Sequence, residues 1–136
     1  MARAADVPEA VVPMRTAGGE LRVRQVTGTR SSLILARRTP GYASEPHRHA
    51  CEQLNYVLSG RISIYVEDEE FALEAGDFLR IPDNVVHHAK NRSDGDCELL
   101  EVHAPALELA GPEALVALLA EDERGRSIPS VPNEWV

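Results

Sequence analysis

The stretch Gly41-Tyr42-Ala43-Ser44-Glu45-Pro46-His47-Arg48-His49-Ala50-Cys51-Glu52-Gln53-Leu54-Asn55-Tyr56-Val57-Leu58-Ser59-Gly60 carries two histidines and a glutamine between two glycines. On an extended strand successive side chains alternate between faces, so His47, His49 and Gln53 share one face. Glu52 points the other way unless a bulge intervenes. Two imidazoles two residues apart, with a third donor beyond them, form part of a metal cage. A second stretch, Gly76-Asp77-Phe78-Leu79-Arg80-Ile81-Pro82-Asp83-Asn84-Val85-Val86-His87-His88-Ala89-Lys90-Asn91, supplies another imidazole from a later strand. His88 has the opposite parity to His87 and is expected to face solvent or an interface.

Outward from these two stretches the chain reads as strands. Residues 21–26 and 61–66 alternate apolar with polar at the period of a half-buried strand. Residues 32–36 and 53–58 are short apolar runs, 78–81 stop at Pro82, and 99–103 stop before Pro105. Turn residues recur at short spacing: Gly18-Gly19, Pro40-Gly41, Ser59-Gly60, Asp68-Glu69, Gly76-Asp77, Pro82-Asp83-Asn84 and Asp94-Gly95. Many short strands punctuated this way predict an all-β fold, an antiparallel sandwich or barrel. The acidic run 67–70 reads as a solvated hairpin tip. One segment departs from the pattern. Pro112 and Glu113 suit the start of a helix that Gly125 could end, and 114–120 is apolar on nearly every side, so that helix needs cover. The tail 127–136, which contains Trp135, reads as an extended arm.

Composition narrows the function classes. A chain of 136 residues predicts one domain spanning 1–136, with a barrel core at about 20–105 and the helix and tail at 111–136. With 14 Lys+Arg against 22 Asp+Glu, the formal charge of -8 argues against nucleic acid or an anionic membrane as partner. No apolar run reaches the length of a spanning helix, and the N-terminus lacks the apolar core of a signal peptide. Two cysteines without an export signal predict a reduced, cytoplasmic protein. All five histidines (His47, His49, His87, His88 and His103) fall in the middle of the chain.

The spacings resemble those of the cupin superfamily. Its first motif reads Gly, five residues, His-x-His, three or four residues, Glu, six residues, Gly; Gly41, His47, His49 and Gly60 match it, with Gln53 at the glutamate position. Its second motif reads Gly, five residues, Pro-x-Gly, two residues, His, three residues, Asn; Gly76, Pro82, His87 and Asn91 match it, with Asn84 in place of Gly. That exchange is mild because both residues tolerate a left-handed turn. The resemblance spans roughly residues 30–105. It implies a single antiparallel jelly-roll barrel, the double-stranded β-helix. It also implies a divalent transition metal (Zn, Fe, Ni or Cu) held by His47, His49, Gln53 and His87, with positions left for a substrate oxygen. Imidazole-rich donors do not choose among those metals. Gln53 bears on the chemistry: a neutral amide leaves the ion more positive than a carboxylate would, which favours Lewis-acid over redox work.

Glu101 and His103 alternate with Leu100 and Val102 on the last strand. A simple amphipathic reading places Leu100 and Val102 inside and leaves Glu101 and His103 in water. The alternative places the polar pair in the cavity as catalytic residues, a general base with an orienting partner. Cys51 shares the parity of His49 and either lines the cavity or packs as a small hydrophobe. Tyr56 and Tyr65 read as packing residues, and Arg37, Arg61 and Arg80 as solvated.

Three functions compete. The first is non-redox proton transfer on a small carbonyl or enol substrate: cyclisation, isomerisation or dehydration. Here the chain resembles aromatic polyketide cyclases and the cupins that linearise uronates, although Ala106-Leu107 departs from the latter. The second is a dioxygenase using Fe, Ni or Cu. The third is a non-enzymatic small-molecule-binding module. The expected partner besides a small-molecule substrate is a second copy of the chain, since the apolar helix and Trp135 need cover.

Overall fold

Alternation in the sequence becomes alternation in burial. The computed structural model describes residues 1–13 and 18–107. A short 3-10 turn (Ala4–Asp6) precedes nine strands: β1 (Ala10–Pro13), β2 (Glu20–Thr27), β3 (Ser32–Arg38), β4 (Glu52–Ser59), β5 (Arg61–Val66), β6 (Glu69–Glu74), β7 (Phe78–Ile81), β8 (His87–Lys90) and β9 (Cys97–Ala104). On β2, Leu21 and Val23 are buried while Arg22 and Arg24 point outward to Glu9. On β3, Ser32, Ile34, Ala36 and Arg38 are buried, and on β5, Ile62 and Ile64. The apolar members of these inner faces meet Val57, Leu99 and Ile81 in one core.

Two antiparallel sheets carry this core. Six strands pair in the order β1-β2-β3-β9-β4-β7 and three in the order β6-β5-β8. Residues 43–47 run beside β8 through the bridges Ala43↔Lys90 and His47↔His87, which widens the smaller sheet. Strands neighbouring in space but distant in sequence, as in β3-β9-β4, give the jelly-roll connectivity expected from the sequence. β1 lies ahead of the expected core; four residues ending in Pro13 give too little alternation to be read as a strand, and pairing with β2 is what forms it. Among the described residues no helix is long and apolar enough to cross a membrane. The expected C-terminal helix near 111–125 and the tail with Trp135 lie outside the described residues.

One sequence-based premise is corrected. His47 and His49 do not sit on a regular strand, because β4 begins only at Glu52 and residues 48–51 turn. The strand parity that grouped them with Gln53 therefore does not apply to that segment. They reach the same interior because the irregular segment is pinned to β8: the His47 and His87 backbones exchange both hydrogen bonds, at 3.0 and 2.8 Å. The Asn84 amide N–H donates to the His49 carbonyl at 2.8 Å, and Asn84 adopts the left-handed conformation (φ 60) anticipated for it. Asn91, the end of the second motif, is a structural clamp. Its amide nitrogen donates to the carbonyls of Arg38 and Gly95, and its oxygen accepts from the backbone and hydroxyl of Ser93.

The β4–β5 turn depends on Gly60, which has φ +78 and no room for a side chain. A Cβ there would lie 2.1 Å from the Asp96 carbonyl oxygen. Gly60→Ala combines left-handed strain with overpacking, and should lower stability by about 3 kcal/mol in urea denaturation, with the denaturant slope retained.

Candidate metal centre and cavity

Each of three buried imidazoles is oriented by a backbone carbonyl two residues away. His47 Nδ1 lies 2.8 Å from the Glu45 oxygen, His49 Nδ1 3.0 Å from the Cys51 oxygen, and His87 Nδ1 2.8 Å from the Val85 oxygen. A carbonyl can only accept, so Nδ1 bears the hydrogen and Nε2 is left with its lone pair. Burial, and next the neighbouring imidazole His87, lowers the pKa of His47 to about 3. Burial, followed by His103 and His47, does the same for His49, and burial with His49 does so for His87. All three are neutral at pH 7. One ligand atom from each lies within 4.8 Å of the others, a cluster that could hold a metal ion.

Gln53 joins them from β4. Its amide nitrogen donates to Asn55 Oδ1 at 2.8 Å, and Asn55 Nδ2 in turn donates to the Leu79 carbonyl at 3.2 Å. That chain turns Gln53 Oε1 inward, 3.2 Å from His49 Nε2. With the hydrogen on Nδ1, the His49 nitrogen and the glutamine oxygen face each other as acceptors, a contact that a cation between them relieves; the alternative tautomer, with the Cys51 thiol 3.0 Å from Nδ1, lets Nε2 donate to the glutamine instead. His87 Nε2 is buried and has no protein partner among the described residues. An orphaned imidazole lone pair beside a frustrated acceptor pair is the arrangement a divalent metal resolves, so these residues fit the group the motifs imply. Glu52, the neighbouring acid, faces outward to Arg80 at 2.7 Å, as parity along β4 requires.

The inward placement of Glu101 and His103 decides between the two readings of β9. Leu99, Glu101 and His103 are buried and line up with Cys97, whereas Leu100 and Val102 lie on the outer face. The amphipathic reading fails because the outer face of the six-stranded sheet is apolar around Leu100 and Val102: β9 pairs Val102 with Leu33 and Leu54, and Leu100 with Leu35 and Tyr56. Glu101 binds Arg38 Nη2 at 2.5 Å. Burial opposes its charge, yet Arg38 and then His103 outweigh that, and the carboxyl stays below its usual range. Burial also lowers the pKa of His103, against the pull of Glu101. No hydrogen bond joins Glu101 to His103 among the described residues. His103 Nε2 instead lies 3.1 Å from Gln53 Oε1, and with an acceptor opposite it this nitrogen is the donor. His103 Nδ1 then keeps a lone pair, buried and without a protein partner.

These groups line one cavity of about 50 Å³ together with Arg38, Tyr42 and Ser44, space for roughly four water-sized groups. Two residues of the site, Arg38 on the cavity wall and Asn55 behind Gln53, escaped the sequence reading. Asn55 could have been found as the residue two positions beyond Gln53 on the same face, and Arg38 by extending the inward parity of Ile34 and Ala36 along β3. The arginines singled out from sequence are surface residues: Arg37 pairs with Glu98, Arg80 pairs with Glu52, and Arg61 is exposed. His88 stacks on Tyr65 with ring centroids 4.5 Å apart, on the opposite side of β8 from His87. Cys51 is fully buried behind His49, and Tyr56 packs against Phe78.

Comparison with known proteins agrees with this picture. The family model described as Cupin domain matches residues 35–103. A curated relative, "Polyketide synthase CurC" of Streptomyces cyaneus, is 32% identical over 103 residues, covering 72% of this chain and 66% of the relative. The match thus spans about two thirds of that protein, and 36% and 52% of two other curated relatives. Among solved structures, a predicted oxalate decarboxylase from Thermotoga maritima superposes with a TM-score of 0.68 at 18% identity, over 77% of this chain and 98% of that one. The nucleoside dehydratase Pac13 superposes with a TM-score of 0.59 at 18% identity, over 79% and 83%. At those identities the two structures show the fold.

The Gln53–Asn55–Leu79 chain yields a direct test. Asn55→Ala frees the Gln53 amide to rotate and should weaken divalent-metal binding by about 10- to 100-fold, read by chelator competition, without unfolding the protein. An unchanged affinity would mean that Asn55 does not orient the glutamine.

Proposed function

The chain belongs to the cupin family, and we propose that it is a metal-dependent enzyme catalysing proton transfer without redox change on a small carbonyl or enol substrate. Cyclisation, isomerisation and dehydration all fall within that class. The observation that carries the reading is the neutral donor set: three imidazoles with inward lone pairs and the Gln53 carbonyl oxygen 3.2 Å from His49 Nε2. His47, His49, Gln53 and His87 would hold Zn, Fe, Ni or Cu. When bound, such an ion supplies Lewis-acid stabilisation of negative charge developing on a carbonyl oxygen. Gln53 subtracts no charge from that site, whereas a glutamate would.

His103 is the proton-transfer residue in this reading. Its Nε2 hydrogen is committed to Gln53 and its Nδ1 lone pair is available, so a substrate C–H or O–H proton can pass to Nδ1. Glu101 is tied to Arg38 and acts on His103 through its charge. The apolar core around the polar cavity lowers the local dielectric and strengthens each of these interactions. The relative named as a polyketide synthase supports a polyketide-like carbonyl substrate.

Solvent deuterium exchange tests this reading before any substrate is known. Zn-loaded protein in anaerobic D₂O should accelerate exchange at the acidic carbon of a panel of 1,3-dicarbonyl compounds, followed by proton NMR. Chelation should abolish the effect. His103→Ala should lose it with metal content unchanged, and Gln53→Glu should slow it by about tenfold or more with metal retained. Exchange or product formation that requires oxygen would instead favour a dioxygenase. Ligands that bind and emerge unchanged, with no exchange, would favour a binding module.

The proposal includes a homodimer. Leu33, Leu54 and Phe78 are exposed on the outer face of the six-stranded sheet, next to Val102 and Tyr56, and a second copy would cover that apolar face. Light scattering at micromolar concentration should return twice the 14.9 kDa chain mass, and a monomer there would reject it.

A further inference from the structure

Arg38 is the one arginine of the six-stranded sheet that points inward among the described residues, and its surroundings do not use it fully. Its side chain is 10% exposed and lines the same cavity as the histidine cluster and His103. Nη2 binds Glu101, while Nε and Nη1 are buried with no hydrogen-bond partner among the described residues. The Tyr42 ring packs against the guanidinium, 5.1 Å from Cζ to the ring centroid, and its hydroxyl also interacts with it. A purely structural ion pair would be expected to satisfy more of the guanidinium, because each buried donor left unpaired is destabilising. Donors retained unpaired on the wall of a reaction cavity are a recognition element in waiting.

We propose that Arg38, backed by Tyr42, is the subsite for a carboxylate carried by the substrate, and so selects carbonyl compounds bearing an acid group. The inference deepens the proton-transfer reading and rests on it for the reaction, though not for the binding. A guanidinium recognises planar carboxylates through directed, charge-assisted hydrogen bonds. Glu101 sets the charge of the ligand. It balances the Arg38 charge, so what Arg38 offers a carboxylate is its unpaired Nε and Nη1 hydrogens, and the Glu101 carboxylate repels a dianion such as a phosphate monoester more strongly than a monoanion. The cavity of about 50 Å³ also suits a small planar group. With the carboxylate on Arg38, the rest of the substrate lies between His103 and the histidine cluster, which line the same cavity. Arg38 is a specificity residue here, and His103 remains the proton-transfer group.

Acetoacetate and its neutral counterpart acetoacetamide, nearly equal in size, are the probes. Their binding to the full chain is followed by ligand-observed NMR, in metal-free and in Zn-loaded protein. Metal-free protein should prefer acetoacetate by about tenfold. Arg38→Lys keeps a cation opposite Glu101 but loses the planar fork, and should reduce the preference severalfold. The paired variant Arg38→Gln/Glu101→Gln leaves no buried charge uncompensated and should abolish it, with its fold checked by amide NMR. If the paired variant does not fold, Arg38→Lys decides. Equal binding of the two probes, a preference that survives either folded variant, or no binding of acetoacetate at millimolar concentration would overturn the proposal. If Zn fails to bind while the preference in metal-free protein stands, the metal reading fails and the Arg38 subsite does not.

Discussion

Three backbone carbonyls set the chemistry at the centre of this protein. By taking the Nδ1 hydrogens of His47, His49 and His87, the oxygens of Glu45, Cys51 and Val85 leave three imidazoles with their remaining lone pairs inside one cavity. Burial keeps those rings neutral. Converging imidazole nitrogens are costly in a low-dielectric interior, and Gln53 adds its carbonyl oxygen because Asn55 holds its amide hydrogens away. The polar centre is therefore arranged for a cation, and the jelly roll around it keeps the arrangement from relaxing.

The second organising feature is the direction in which β9 faces. Cys97 and Leu99 continue the apolar core, and two residues later on the same face Glu101 and His103 turn it into a reaction cavity. Glu101 is stabilised there by Arg38, and its inward charge is what makes a buried arginine tolerable. The two requirements are mutual. Removing either partner leaves a buried charge uncompensated, so cavity chemistry and local stability rest on the same pair. His103 receives its orientation from Gln53, which links the metal-binding and proton-transfer parts of the cavity through one side-chain oxygen.

Much of the site is legible in the sequence alone, though partly for a reason that does not hold. His47, His49, Gln53 and His87 were grouped by spacing, and they do converge. Strand parity accounts only for Gln53 and for the outward turn of Glu52, because His47 and His49 lie on an irregular segment held against β8. Asn84 was legible as a left-handed turn because few other residues adopt that conformation cheaply. Arg38 was passed over because a charged residue at the end of an apolar strand ordinarily marks the surface, and nothing near it in sequence announces Glu101, its partner 63 positions away.

Local physics is written along the chain: the period of two, the glycines and asparagine that admit positive φ, and the histidine spacing of the cupin motifs. Together they indicate an all-β protein and group His47, His49 and His87. Which face of β9 looks inward is not written there, because Leu100 and Val102 compete on hydrophobicity with a face that carries Glu101 and His103. Burial is a property of the whole sheet. Leu33, Leu35, Leu54 and Tyr56 are β9's cross-strand neighbours on the outside, and only their pairing shows that the outer surface is the apolar alternative. The tertiary structure decided that face, and with it placed Glu101 beside Arg38 and His103 beside Gln53.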